Sequence, residues 1–240
     1  TAELHCALAT STDDPDFVTE ELSRDHLKTW SDEAVQEAEA VLDSLKKARA
    51  GLAEDVGALA DTILAARKPL LDRMRAAAKL TPSGSISRIH GDYHLGQVLV
   101  AQGDFMIIDF EGEPRRPLAE RRAKSSPMRD VAGMLRSFQY AAATALTLRS
   151  DAIGAVSEGT RQRAALWRET FSKQFLEAYE AHSAENPTYP HDTAFARALT
   201  ELFLLQKAFY EVGYELANRP NWLGVPLEGI VNLLQLEGDE

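Results

Sequence analysis

The chain has 240 residues, with 26 Lys and Arg against 37 Asp and Glu, a formal net charge of −11. That acidic surplus excludes a general nucleic-acid or anionic-membrane binder, which needs a basic stripe, although one local site can still hold phosphate in an acidic protein. A single cysteine, Cys6, excludes an internal disulfide and a cysteine-based metal cluster, and no run approaches the roughly 18 apolar residues of a membrane span.

In chain order, residues 1–9 read as a short helix, followed by the loop STDDPDF. Over 32–52, Val35, Ala38, Val41, Leu42 and Leu45 recur on one helical face. A further helical stretch covers 54–79, where Pro69 either breaks the helix or begins a new one in its first turn. TPSG (81–84) is a turn. The pattern then changes: SISRI (85–89), QVLVA (97–101) and FMIIDF (105–110) are short and rich in Ile and Val, as strands are. Gln102-Gly103-Asp104 is a hairpin turn between the last two. From Pro127 the chain reads helical again, with a helix over 128–147 that is apolar almost all round and further helices at about 160–183, 191–218 and 226–236. The expectation is an α+β fold, mostly α, as one domain with a small strand insert.

The chemistry concentrates in HGDYHLGQVLVAQGDFMIIDFEGE, residues 90–113. Asp92 lies in a loop beside Gly91, which permits unusual backbone angles and close approach. Antiparallel pairing about the turn brings Gln97, at the start of one strand, beside Asp109, at the end of its partner. An amide oxygen and a carboxylate at one edge suit magnesium, which takes one or two such side chains plus phosphate oxygens. A separate carboxylate, Asp92, would orient a hydroxyl nucleophile and accept its proton. Glu111 either touches a second metal ion or bonds backbone amides in the turn. His90 is expected to brace the loop, His94 is left open between bracing and chemistry, and Asp130 reads as a helix-start or loop-bracing carboxylate.

HGDYHLGQVL followed by IIDFE resembles the catalytic and metal-binding loops of the aminoglycoside-phosphotransferase-like kinases, relatives of the protein kinases, whose pattern is H-x-D-x-x-x-x-N and then a hydrophobic strand ending in D. The resemblance implies Asp92 as catalytic base, Gln97 as the loop amide on magnesium and Asp109 as the principal metal carboxylate. Gln97 stands where most of that family has Asn. HGDYHLGQVL with DFEGEPRRPLAERRAKSSPMRDVAGMLRSF, TAELHCALA and KAFYEVGYELANRPNW resembles bacterial maltokinases in particular. That likeness implies a protein-kinase-like C-terminal lobe, ATP and Mg2+ as co-substrate and cofactor, and transfer to the anomeric hydroxyl of maltose for α-glucan synthesis. It also implies a cytoplasmic setting, with trehalose synthase as a possible fused or associated partner.

For the acceptor, 202–218 carries a core stripe of Leu202, Leu205, Phe209, Val212 and Leu216, with Lys207, Glu211, Tyr214 and Asn218 opposite and Tyr210 and Glu215 at the flanks. A solvated surface is the plain interpretation of those charges. Two tyrosines and the nearby Trp222 suit a sugar instead, whose C–H faces stack on rings. The maltokinase resemblance places Lys207, Tyr210, Glu211 and Trp222 in the sugar pocket. The segment 113–130 is locally basic and is expected to be a solvated loop pairing with neighbouring Glu, rather than a phosphate attractor.

No glycine-rich phosphate loop and no strand lysine occur before residue 90, so the chain is expected to be the C-terminal lobe of a larger kinase and inactive alone. Two alternatives stand beside maltose: a kinase of glucosamine, another aminosugar or an aminoglycoside, where Glu211 and Glu215 would pair with an amine, and an inactive kinase-like module that binds a sugar or a partner.

Overall fold

In the computed structural model, which describes residues 1–235, two compact units are built from interleaved stretches of chain. One comprises Thr1–Glu21 and Ser83–Ala196, the other Leu22–Pro82 and Arg197 onward.

The first unit holds helix α1 (Ala2–Leu8) and strand β1 (Glu20–Glu21). α2 (Arg24–Ala48) opens the second unit and starts a turn or more before the apolar spacing suggests. Its cap explains the early start. Ser23 Oγ accepts the His26 N–H at 3.2 Å while His26 Nδ1 accepts the Ser23 N–H at 3.2 Å. This is a capping box with histidine where Glu or Gln is usual. Leu27, Trp30, Ala34, Ala38, Leu42 and Leu45 then form one buried stripe at three- and four-residue spacing. α3 (Glu54–Ala65) and α4 (Arg67–Ala76) follow, and Pro69 sits in the first turn of α4, where its missing N–H costs no helical bond.

Returning to the first unit, β2 (Ser85–Ile86) pairs antiparallel with β1, Glu20 opposite Ile86 and Glu21 opposite Ser85. β3 (Val98–Ala101) and β4 (Asp104–Ile107) form the hairpin, with Val98 opposite Ile107 and Ala101 opposite Asp104. Its turn is only Gln102 and Gly103, both at positive φ (54° and 81°), the conformation that matches the twist of a two-residue hairpin. α5 (Leu118–Arg121), α6 (Met128–Ile153) and α7 (Glu158–His182) complete this unit with the start of α8 (Thr193–Asn218). Tyr93, Met134 and Phe138 are buried together here, with Val98, Ile107, Leu135 and Phe175 packed around them. The loop carrying Tyr93, the hairpin, α6 and α7 therefore share one apolar cluster.

In the second unit, α8 and α9 (Gly224–Gln235) close over α2 to α4. Trp30 meets Phe203 edge-on at 5.4 Å, and Arg73 donates to Glu201 at 2.6 Å and to the Leu233 carbonyl at 2.9 Å. The expected helix over 226–236 is α9, except that position 236 lies outside the described residues. Among the described residues no helix is long and apolar enough to cross a membrane.

Candidate active site

The turn after β2 is held from below by a single carboxylate. His90 N–H donates to Asp130 Oδ2 at 2.8 Å and Gly91 N–H to Oδ1 at 2.9 Å. Gly91 has φ +83°, where a side chain would be strained, and a Cβ there would lie 3.3 Å from the Gly112 Cα of the neighbouring turn. Asp130 is buried in the first turn of α6, where the partial positive charge of the helix N-terminus favours a carboxylate.

His90 joins the turn bearing Asp92 to the strand end before Asp109. Its Nδ1 accepts the Asp92 N–H at 3.3 Å, so Nε2 carries the ring proton and donates it to the Ile108 carbonyl at 2.8 Å. The imidazole also packs against Tyr93 and Phe110, with ring centroids 5.3 and 5.0 Å away. One buried ring thus fixes the backbone of Asp92 and that of the residue before Asp109. His94 Nδ1 accepts the Gly96 N–H at 3.1 Å, and its Nε2 stands 3.8 Å from Asp92 Oδ2.

The loop runs along one face of α6. Asp130, Gly133 and Ser137 recur at helical spacing and receive successive loop residues: Asp130 takes the His90 and Gly91 amides, Gly133 lies under Tyr93, and Ser137 Oγ accepts the Leu95 N–H at 3.1 Å. A Cβ at Gly133 would meet the Tyr93 carbonyl oxygen at 2.5 Å, and that oxygen is backbone. Gly133→Ala should therefore cost about 2 kcal/mol through overpacking, a Tm drop of about 4–8 °C for a protein of this size. It should also lower activity by displacing the turn that carries Asp92. Thermal denaturation of the purified variant checks this, and an unchanged Tm would contradict the packing described.

β4 ends at Ile107, and the Ile108 N–H donates to the Gln97 carbonyl at 3.0 Å. Asp109 then takes φ +67°, a left-handed conformation that Asp tolerates better than most residues and that turns its side chain out of the strand direction. There Gln97 Nε2 donates to Asp109 Oδ2 at 3.0 Å. The expected pair is adjacent, with the amide nitrogen toward the carboxylate in the assigned orientation; rotating the terminal amide presents its oxygen instead. Among the described residues no three of His, Cys, Asp or Glu gather into a metal-holding group. One carboxylate with one amide nevertheless fits magnesium, which keeps several positions for water and phosphate oxygens.

Glu111 faces Arg121: the guanidinium is 3.8 Å from its carboxylate and also donates to its backbone carbonyl at 3.2 Å. The basic segment pairs much as expected, with Arg116 on Glu120, Arg122 on Asp16 and Lys124 on Glu20.

Lys207, Tyr210, Glu211 and Trp222 belong to the second unit. The Lys207 ammonium lies over the Tyr210 ring, 5.1 Å from its centroid. Glu211 and Glu215 are both buried, unlike the solvated face that charges opposite a core stripe usually make. Glu215 takes both ends of the Arg219 guanidinium, at 3.0 and 2.6 Å. That guanidinium also lies over Tyr214 (5.2 Å) and Trp222 (5.7 Å), so the carboxylate, cation and rings form one assembly.

Gly133, Ser137, His5, Tyr179 and Arg219 were not singled out from the sequence. For the two α6 residues the signal was present: D-x-x-G-x-x-x-S sets Gly133 and Ser137 on one helical face with Asp130. His5, which reaches Asp130, and Tyr179, which bonds His5, left no such pattern.

The phosphotransferase enzyme family matches residues 2–195. Two curated relatives are glucosamine kinases: one from Mycolicibacterium smegmatis, 34% identical over 146 residues, and one from Streptacidiphilus jiangxiensis, 30% identical over 146 residues. These alignments take in 60% and 61% of this chain but only 34% and 31% of the relatives, so the chain spans about a third of their length. Among solved structures, a glucosamine kinase in complex with glucosamine, ADP and inorganic phosphate superposes with a TM-score of 0.78 at 22% identity, over 97% of this chain and 49% of that one. A second glucosamine kinase crystal form gives 0.77 at 21% identity, over 98% of this chain and 52% of that one. These likenesses carry the fold, mostly helical with a few short strands. With four-fifths of its residues matched, the chain belongs to the phosphotransferase enzyme family.

Proposed function

We propose that this chain is the catalytic lobe of an ATP-dependent sugar kinase whose acceptor is an amino sugar of the glucosamine type. The observation that carries the kinase reading is the single imidazole of His90, which ties the turn bearing Asp92 to the strand end bearing Asp109, where Gln97 meets the carboxylate. In this reading Asp92 orients the acceptor hydroxyl and takes its proton, while Gln97 and Asp109 hold magnesium. The bound cation would supply charge neutralisation on the transferring phosphoryl group. His90, His94 and Asp130 keep the loop in place. Glu111, tied to Arg121, serves the turn rather than a second ion.

The remainder of the protein would provide the nucleotide-anchoring lobe. In support, the hairpin leaves Val100 and Phe105 77% and 73% exposed, with Leu99 and Met106 beside them, an apolar surface that a further segment or a nucleotide base would cover.

For the acceptor, the matched relatives are glucosamine kinases, which ranks the amino sugar ahead of maltose, and a trehalose synthase partner has no support beyond sequence resemblance. Glu211 adds a physical reason. An ammonium on the sugar would find a buried carboxylate, and a charged hydrogen bond there discriminates against the uncharged analogue by about 10- to 100-fold. Maltose remains the second reading because the Lys207, Tyr210, Glu211 and Trp222 pattern resembles the maltokinases.

The test is a panel of glucosamine, glucose, maltose and an aminoglycoside, offered with ATP and Mg2+ to the full-length protein. Glucosamine should give the highest kcat/KM. Glu211→Gln and Tyr210→Ala should raise the KM for sugar with little change for ATP, the former erasing the preference for glucosamine over glucose. Preference for maltose would replace the amino-sugar reading; equal effects on both KM values would remove these residues from the acceptor site. Sugar binding without phosphate transfer would favour the inactive module.

A further inference from the structure

His5, on α1, is separated along the chain from both of its polar partners, Asp130 by 125 residues and Tyr179 by 174. Its ring is 1% exposed, as is Asp130. Nε2 lies 3.1 Å from Asp130 Oδ2, and Nδ1 lies 2.7 Å from the Tyr179 hydroxyl, whose ring stands edge-on to the imidazole at 5.6 Å. Burial pushes the Tyr179 hydroxyl well above its ordinary pKa, so it keeps its proton and can donate to Nδ1. Nε2 then carries the ring proton and aims it at Asp130. A directed series results: Tyr179 O–H to His5 Nδ1, His5 Nε2–H to Asp130 Oδ2, and the same carboxylate accepting the His90 and Gly91 amides.

We infer that His5, oriented by Tyr179, is a positioning residue for phosphoryl transfer: it holds the Asp130 carboxylate in the rotamer that grips both amides of the turn carrying Asp92. The carboxylate has two soft torsions and sits between a helix and a loop. The two amides hold it from the loop, and the imidazole adds a third donor, sharing Oδ2 with the His90 amide. Without that third donor the carboxylate can pivot and the turn can follow it. Misplacing a catalytic group by about 1 Å costs up to about 100-fold in rate. The effect should fall on turnover more than on substrate affinity, because the turn positions the proton acceptor.

The kinetic arm of the test rests on the kinase reading; the exchange arm does not. In the full-length protein, His5→Gln places an amide N–H where Nε2 lies, whereas His5→Asn reaches only as far as Nδ1 and leaves Asp130 without the donor. His5→Asn and Tyr179→Phe should lower kcat about 10- to 100-fold with little change in either KM, and His5→Gln should recover most of it at a similar Tm. Amide hydrogen exchange at His90 and Gly91 should quicken in His5→Asn and Tyr179→Phe but not in His5→Gln. Equal losses in the Gln and Asn variants, tracking Tm, would overturn the inference, as would unaltered exchange at those two amides. Should His5→Asn fail to fold, Tyr179→Phe carries the same comparison. If the unmodified protein phosphorylates no acceptor, the kinase reading falls and the exchange measurement alone decides the clamp.

Discussion

Replacing Asp92 by Asn in the full-length protein should cut turnover by about 10²- to 10⁴-fold, the range a positioned proton acceptor contributes. It should leave ATP binding and Tm nearly unchanged. The structure makes the substitution a clean one. The Asp92 backbone is held by its own N–H on His90, and the turn is held by the His90 and Gly91 amides on Asp130. None of these bonds uses the Asp92 carboxylate, so an isosteric amide keeps the backbone of the turn while removing charge and basicity. His94 does not replace the lost base: its Nδ1 is occupied by the Gly96 amide, so Nε2, the nitrogen facing Asp92, carries the proton. Turnover of the variant by coupled ADP release, with ATP affinity by calorimetry, separates the roles. Retained turnover would reject Asp92 as base, and lost ATP affinity would move it to the nucleotide site.

The part of the site that the sequence disclosed is the part fixed by local rules. Period-two runs with a turn between them bring the open ends of the hairpin together. The register Val98 to Ile107 sets Gln97 opposite Ile108, and Asp109, one residue on, meets the Gln97 side chain from its left-handed conformation. Other features depend on contacts that no local pattern announces. β1 consists of two glutamates with no alternation to read, and it exists because β2 offers an unpaired edge. The left-handed Asp109 is written only as a carboxylate after an apolar run. Of the α6 face under the loop only Asp130 reads as a brace; Gly133 and Ser137 hide in a helix that looks apolar almost all round, although they too meet the loop. Glu215 reads as a surface charge at helical spacing and is instead 1% exposed, because Arg219 one turn later neutralises it. Acceptor choice is the least local property of all: the same four side chains suit a disaccharide by their rings and an amino sugar by their carboxylate.

The remaining large effect belongs to Asp109. Asp109→Asn should lower turnover by about 10³-fold, the scale of losing several kcal/mol of charge stabilisation on the transferring group. It should also shift the magnesium dependence to much higher concentration. Two observations argue that the fold survives. Asn adopts the left-handed conformation at least as readily as Asp, so φ +67° adds no strain. An amide oxygen can still accept from Gln97 Nε2, so the contact between the strand ends persists. What disappears is the Asp109 charge beside Gln97, and with it the fit to a hard cation. The decisive comparison is ATP binding with and without Mg2+. In the unmodified protein, affinity should rise when the ion is added; in the variant the two curves should coincide. Gln97→Asn should behave differently, because it removes a methylene and keeps the amide, altering reach but not charge. A magnesium dependence identical in Asp109→Asn and the unmodified protein would show that the ion is held elsewhere. The pairing of Gln97 with Asp109 would then be a structural clasp at the open end of the hairpin.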